Sequence, residues 1–367
     1  MRIGLLSTAA LESRGSMRAY VQTLAEAMAR HVPSIELDLI ELEPAPAPSR
    51  WRRGLRMLTL PARARRCRDV APDLWHVLDG SNAHLATDLR SAPLMVTVHD
   101  IIPCLQDAGV FPGAPRLGPA ARWWWRGNGG VMARAVSLVC DSQRTALDVQ
   151  QAFGVQTSRC SVIPLPLRTG LAEMVEAPTD TQRKSGVVLH VGNSGFYKNR
   201  AGALRAFARC ERSLARTLWM AGPAPDAALL GLAAELDVAD RVQWLPDPDD
   251  AKLVELYRGA SVLLFPSLYE GFGWPVLEAM AFSLPVVTSN AGSLPELVDR
   301  VAPVFPPADE AGMAAATDRL LASTEESAAA AARGVARAAE FSGIEFAGRM
   351  RLAYEGAAAM TGGRTAR

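Results

Sequence analysis

The stretch Ser267-Leu-Tyr-Glu270-Gly-Phe-Gly273-Trp-Pro-Val-Leu-Glu278-Ala-Met280 follows directly on an apolar run, residues 261–265, that reads as a buried strand. Gly271 and Gly273 allow a ligand to come close to the backbone. Pro275, suited to the first turn of a helix, opens a segment whose free amides and positive end point back at the glycines, so the turn reads as a cradle for phosphate. Glu270 in the loop and Glu278 in the helix bracket that cradle with two carboxylates, the acceptors a hydroxyl-rich ligand needs. The blander reading is an ordinary strand-to-helix turn with a glutamate complementing the helix dipole; two glutamates flanking two glycines and a proline weigh against it.

Outward from this turn, short apolar runs alternate with helical patterns along the whole chain. That alternation predicts α/β architecture, parallel sheets covered by helices on both faces. Strands are expected at 2–7, 35–42, 74–77, 94–98, 137–140 and 160–163, then at 186–191, 217–221, 242–245, 261–265, 285–288 and 303–305. Pro164, Pro166 and Pro178 punctuate a polar stretch between the two sets, which predicts a linker near 165–184 and two doubly wound domains, 1–170 and 171–345. Residues 346–367 read as a C-terminal helix returning to the first domain. The alanine-rich stretches 312–339 and 341–360 read as helices. Ligands of such sheets sit outside the carboxyl ends of the strands, so a cleft shared by the two domains is the expected site.

Composition agrees with this. The 367 residues are 49% hydrophobic and 21% charged, enough to build two cores, and they exclude a disordered chain or a disulfide miniprotein. Five scattered cysteines with no C-x-x-C pair indicate neither a disulfide framework nor a zinc cluster, and they suit a reducing cytoplasm. No apolar run approaches the ~18 residues of a membrane span. The first ten residues read as a strand rather than a signal peptide. The net charge of +1 conceals +6 over residues 1–170 and −5 over the rest, so the first half favours an anionic partner.

Other loops carry chemistry of the same kind. Val191-Gly192-Asn193-Ser-Gly-Phe-Tyr197-Lys198-Asn199 ends a strand with a glycine-rich turn and one of only three lysines in the chain, a point charge suited to a phosphate. His99-Asp100 ends the strand at 94–98, where the histidine can donate to a phosphate or a sugar hydroxyl and the aspartate can orient it or hold an acceptor. Gly15 and Ser16 precede the first helix as a glycine turn or a plain N-cap, and Ser142 reads as a cap. The tryptophan of Trp244-Leu245-Pro246 reads as a core residue. Residues 50–68 hold eight arginines and no acid, among them Arg50, Arg52, Arg53 and Arg56 beside Trp51. Such a segment suits an anionic bilayer or a phosphorylated acceptor, or is a solvated surface in an arginine-rich chain. Trp123, Trp124 and Trp125 read as packing residues. No nucleic-acid-binding module accompanies the arginines.

The segment from Glu270 to Glu278 resembles the E-x7-E motif of retaining glycosyltransferases of family 4. Val191 to Asn199 resembles the family's V-G-x-x-x-P-[RH]-K-N segment, with Phe196 and Tyr197 in place of its proline and basic residue. His99-Asp100-Ile-Ile-Pro103 resembles the H-D-[LI]-I-P signature of bacterial members that transfer mannose or rhamnose, and Leu294-Pro-Glu296 resembles the family's L-P-E. The resemblance implies a GT-B fold of two facing Rossmann-like domains and transfer of a hexose or deoxyhexose, mannose favoured, from a nucleoside-diphosphate sugar. GDP is the favoured base, with UDP or dTDP the alternatives. The acceptor would be a saccharide or lipid-linked saccharide hydroxyl, and no cofactor or metal is expected.

It further implies catalytic roles for His99, Asp100, Lys198 and Glu270. Donor contacts are implied at Gly15, Asn193, Lys198, Asn199, Leu245, Glu270, Gly271, Phe272, Gly273 and Glu278. Acceptor or membrane contacts are expected at Arg50, Trp51, Arg52, Arg53 and Arg56, in a cytoplasmic protein at the inner face of the membrane, and no nucleic-acid partner is expected. Arg200 is a candidate to replace the basic residue missing at Tyr197. Two alternatives stay open: a sugar-nucleotide hydrolase or epimerase on the same fold, and a non-catalytic nucleotide- or membrane-binding partner subunit.

Overall fold

The computed structural model of the chain describes residues 1–8, 15–42, 64, 67, 70–89, 91–175 and 183–362. The chain divides into two compact units, Met1–Thr169 with Ser342–Arg367, and Gly170–Phe341.

The first unit is built on six parallel strands, β1 (Arg2–Ser7), β2 (Glu36–Glu41), β3 (Leu74–Val77), β4 (Leu94–Val98), β5 (Ser137–Cys140) and β6 (Cys160–Val162), in the order β2-β1-β3-β4-β5-β6. The central strands are mostly apolar because helices cover both faces: every residue of β3 and β5 is buried, the polar His76 and Ser137 included. Register sets Val96 against both Val77 and Leu138. Helices Ser16–His31, Ile102–Ala108, Pro119–Met132 and Gln143–Phe153 follow β1, β4 and β5. The helix Gly343–Gly362 rejoins this unit and packs against Ser16–His31.

The second unit repeats the plan with β7 (Val187–Val191), β8 (Thr217–Gly222), β9 (Val242–Pro246), β10 (Val262–Phe265), β11 (Val286–Ser289) and β12 (Val304–Phe305), in the order β12-β11-β10-β7-β8-β9. Leu204 and Phe207 of the helix Arg200–Arg209 share a core with Val188, Leu218, Val262 and Leu264 of the sheet and Met313 of the helix Glu310–Ala322. Each such side chain contributes about 1.5–3 kcal/mol by leaving water.

In each sheet the chain reverses its direction of travel once. The reversal lies between β1 and β3 in the first unit and between β7 and β10 in the second. Loops leaving the two strands at a reversal part to opposite sides and open a crevice at the strand ends.

Three expectations are revised. The stretch expected as one helix over 312–339 is two, Glu310–Ala322 and Thr324–Ala338, because Ser323 Oγ accepts from the Glu326 amide at 3.1 Å and starts a new helix. The linker at 165–184 contains a short helix, Thr169–Val175. Trp123 is 70% exposed rather than packed. Its neighbour Trp124 does pack, with its indole N–H donating to the Ser81 carbonyl at 2.8 Å and its ring against His84.

Candidate active site

In the second unit the loops after β7 and β10 lie side by side at the reversal and bring Lys198 to Glu270. After β7, a single turn of 3-10 helix, Phe196–Lys198, leads to Asn199, whose φ of 49° is left-handed. Its side chain caps the next helix by accepting from Gly202 N at 3.1 Å and donates to the Pro266 carbonyl at 2.9 Å. The Leu268 amide donates back to the Tyr197 carbonyl at 2.6 Å. These bonds stitch the loop after β7 to the loop after β10. The stitching carries Lys198 onto Glu270: Nζ lies 2.7 and 2.8 Å from the two carboxylate oxygens. The side chains are 12% and 7% exposed, so the pair is largely dry yet reachable. Ser267 Oγ donates to Glu270 Oε1 at 2.7 Å, and the Tyr197 and Phe265 rings each lie 5.4 Å from the ammonium.

Backbone geometry holds Glu270 in place. Ser293 donates to the Glu270 carbonyl through its amide at 3.0 Å and its hydroxyl at 3.2 Å. Gly292, at φ 60°, lets the loop after β11 approach so closely that a Cβ there would lie 2.3 Å from the Glu270 carbonyl oxygen. Gly273, at φ 105°, precedes the helix Trp274–Ala281, and its missing Cβ leaves room for Leu294. Phe272 is an anchor rather than a free face, its ring packed edge-on against Phe341 at 5.8 Å. Glu278 is 1% exposed and accepts from the Tyr257 hydroxyl at 2.7 Å. Asn193 shapes the turn, its Oδ1 accepting from Gly195 N at 2.8 Å.

Arg200, the candidate to replace the basic residue missing at Tyr197, is tied to the loop after β8. It is only 7% exposed, its guanidinium donates to the Pro223 carbonyl at 2.8 Å and lies 5.7 Å from the Trp244 ring. Trp244 itself packs against the core of the unit, while Leu245 is half-buried beside Ala221.

In the first unit, His99 stands at the end of β4. Nδ1 lies 2.6 Å from Asp141 Oδ2 and Nε2 lies 3.0 Å from the Leu78 carbonyl, so both ring nitrogens face acceptors. Burial alone would lower its pKa; the Asp141 carboxylate overrides that, with Asp79 and the Leu78 carbonyl adding, and raises it to about 9. The ring thus holds its proton above the usual imidazole range. The partner expected from sequence, Asp100, is engaged elsewhere: its Oδ1 accepts from the Ile102 amide at 2.9 Å. The carboxylate against the His99 ring is thus Asp141 rather than Asp100, because β4 and β5 pair in parallel register and end side by side. Gly15 takes the N-cap position of the first helix ahead of Ser16, with open space where a Cβ would stand. Ser142 caps the helix Gln143–Phe153 by accepting from Thr145 N at 3.0 Å. Arg50, Trp51, Arg52, Arg53 and Arg56 lie outside the described residues.

Two family models account for most of the chain. Residues 175–336 match Glycosyl transferases group 1, and residues 17–170 match Glycosyltransferase Family 4. The chain belongs to the GT-B glycosyltransferases. Among solved glycosyltransferases of this fold, sucrose-phosphate synthase from Thermosynechococcus elongatus superposes with a TM-score of 0.74 at 20% identity, over 96% of this chain and 98% of that one. HepE of Anabaena, solved with UDP and glucose, gives 0.73 at 18% identity, over 97% and 100%. In sequence, the chain is similar to the MMP alpha-(1->4)-mannosyltransferase of Mycolicibacterium hassiacum, 32% identical over 73% of this chain and 66% of that one. It is also similar to the D-inositol 3-phosphate glycosyltransferase of Acidothermus cellulolyticus, 30% identical over 59% and 51%. The matched stretch thus spans between half and two thirds of the length of these relatives.

The contacts of Ser267, Gly292 and Ser293 with Glu270, and of Asp141 with His99, arise from the tertiary structure. Asp141 had one available signal, an acid directly after a buried strand. Gly292 and Ser293 act on Glu270 across strands, and no spacing along the chain shows that.

Proposed function

We propose that the chain transfers a hexose or deoxyhexose, mannose favoured, from a nucleoside-diphosphate sugar to a hydroxyl of a saccharide or lipid-linked saccharide, with retention at the anomeric carbon. GDP is the favoured base, with UDP or dTDP as alternatives. The observation that carries the reading is the Lys198–Glu270 pair at the β7–β10 reversal, beside the N-terminus of the helix Trp274–Ala281. The mannosyltransferase names of two similar proteins, from M. hassiacum and, over 99 residues, from Escherichia coli, support the sugar.

The chemistry follows from the pair. A diphosphate carries more negative charge than one carboxylate, so it draws the Lys198 ammonium from Glu270. A buried carboxylate left alone is costly, and Glu270 is satisfied again by Ser267 and by hydroxyls of the donor sugar. The ammonium and the amides at Gly271 and Gly273 then stabilise the charge that develops on the departing diphosphate, the main requirement of glycosyl transfer. This assigns the leaving-group charge to Lys198 rather than to a metal ion. Glu278 accepts from the ribose, and His99 in the first unit meets the sugar and acceptor. Arg50, Trp51, Arg52, Arg53 and Arg56 are the candidates for a phosphorylated or membrane-borne acceptor.

Calorimetric titration of the full chain with GDP, UDP, dTDP and ADP tests the donor site. Micromolar binding of one nucleotide, lost in Lys198→Ala and Glu278→Ala, is the expected result. Binding of none of the four would sink the transferase site and favour a non-catalytic subunit.

A further inference from the structure

The first unit contains a buried polar chain that the reaction just described leaves unused. Tyr354 Oη, on the helix Gly343–Gly362, is 2.9 Å from His76 Nδ1 on β3. His76 Nε2 is 2.7 Å from Thr97 Oγ1 on β4, and Thr97 Oγ1 is 2.9 Å from Tyr20 Oη on the first helix. All four side chains are essentially inaccessible to water. The chain ends at His99: the Tyr20 ring meets the imidazole edge-on, with centroids 4.5 Å apart and planes at 78°.

We propose that Asp141 and Tyr20 are positioning residues for His99, and that Tyr354 anchors Tyr20 through His76 and Thr97, so that the C-terminal helix sets the His99 edge of the first unit. The inference rests on the reading of His99 as the residue that meets sugar and acceptor.

Three observations support it. Asp141 Oδ1 is buried and makes no hydrogen bond, so the carboxylate depends on His99 for its partner, and turning the ring away would leave it unpaired. Burial, with the His99 charge adding, lowers His76 to about 3, so it stays neutral, with one N–H and one lone pair. A neutral imidazole between two hydroxyls must donate to one and accept from the other, which ties Tyr354 and Thr97 into one oriented series. Finally, the charged and polar groups facing His99 come from every element around it: Asp141 after β5, Asp79 and the Leu78 carbonyl after β3, His76 on β3 and Tyr20 on the first helix. Thr145 Oγ1 donates to the His99 carbonyl at 3.2 Å from the helix that follows. The side chain keeps 17% of its surface exposed, so a substrate reaches a ring whose plane is already set.

The test is histidine-selective NMR of the full chain against pH. His99 is assigned among the five histidines by its loss in His99→Gln. In Asp141→Asn the His99 midpoint should fall by two pH units or more. Tyr354→Phe and Tyr20→Phe remove only a hydroxyl, which keeps the test open should Asp141→Asn not fold. Each should shift the His99 resonance and lower kcat about tenfold with the donor KM unchanged, as expected of a misplaced catalytic group. A His99 signal and a kcat unmoved by Tyr354→Phe would overturn the anchor. A midpoint unmoved by Asp141→Asn would overturn the positioning. Full transfer by His99→Gln, with the titrations shifted as described, would instead overturn the reading of the site and leave the positioning intact.

Discussion

Among the described residues, Lys198–Glu270 in the second unit and His99–Asp141 in the first are cation–carboxylate pairs at strand ends, and the two are built differently. Lys198 lies on a short turn and reaches Glu270 with a flexible stem, making two bonds to a carboxylate that also has Ser267. That ammonium can swing to a better anion while Glu270 keeps a partner. His99 has both ring nitrogens engaged, a tyrosine ring against its edge, and a carboxylate whose other oxygen has no hydrogen bond. That pair cannot exchange partners without stranding a charge. A lysine pair suits a group that must answer a ligand, and a histidine pair suits one that must already be in place.

The sharpest way to break this comparison is Lys198→Ala. With the diphosphate contact gone, transfer should fall about 10²–10³-fold, measured as kcat/KM. Loss of the buried partner should also cost on the order of 3 kcal/mol in chemical denaturation. Near-normal kcat/KM would show that the pair is structural rather than exchangeable.

Asp141→Asn probes the fixed pair through pH. The folded pKa of His99 is raised, to about 9 against 6.5 unfolded, so its stabilisation is full below 6.5 and lost as pH rises through about 9. Wild type should lose up to about 3 kcal/mol of stability across that window, and the variant should lose little. Parallel pH profiles for the two proteins in denaturant melts would refute the fixed charge.

Gly292→Ala places a methyl group 2.3 Å from the Glu270 carbonyl at a left-handed φ. The loop must shift, at a cost of about 1–3 kcal/mol and a measurable loss of nucleotide affinity by calorimetry. Unchanged affinity would mean that Glu270 is placed without this loop. Trp123→Ala, at an exposed position, is the baseline, with an expected stability change within about 0.5 kcal/mol by thermal melt.

Much of the fold was readable because parallel strands buried on both faces are continuous apolar runs. The expected strand at 94–98 is Leu94–Val98, and that at 261–265 is Val262–Phe265. The helix break at Ser323 was missed because alanine-rich sequence favours helix on both sides of it, and only the serine hydroxyl marks the interruption. Trp123 was misplaced because three consecutive tryptophans cannot share one helix face, and their composition does not say which one turns outward.

The sequence by itself determined the parallel α/β architecture, the glycine-rich turn at Gly271 and Gly273 ahead of a helix, and the residue types at the strand ends. Those are local properties, set by periodicity, glycine and helix-start chemistry within a few residues. Tertiary structure decided the partnerships: Lys198 with Glu270, Asp141 rather than Asp100 with His99, Gly292 under Glu270, and Tyr354 with His76 across 278 residues. Strand order places these groups together, and strand order is a global choice that no short stretch of chain encodes.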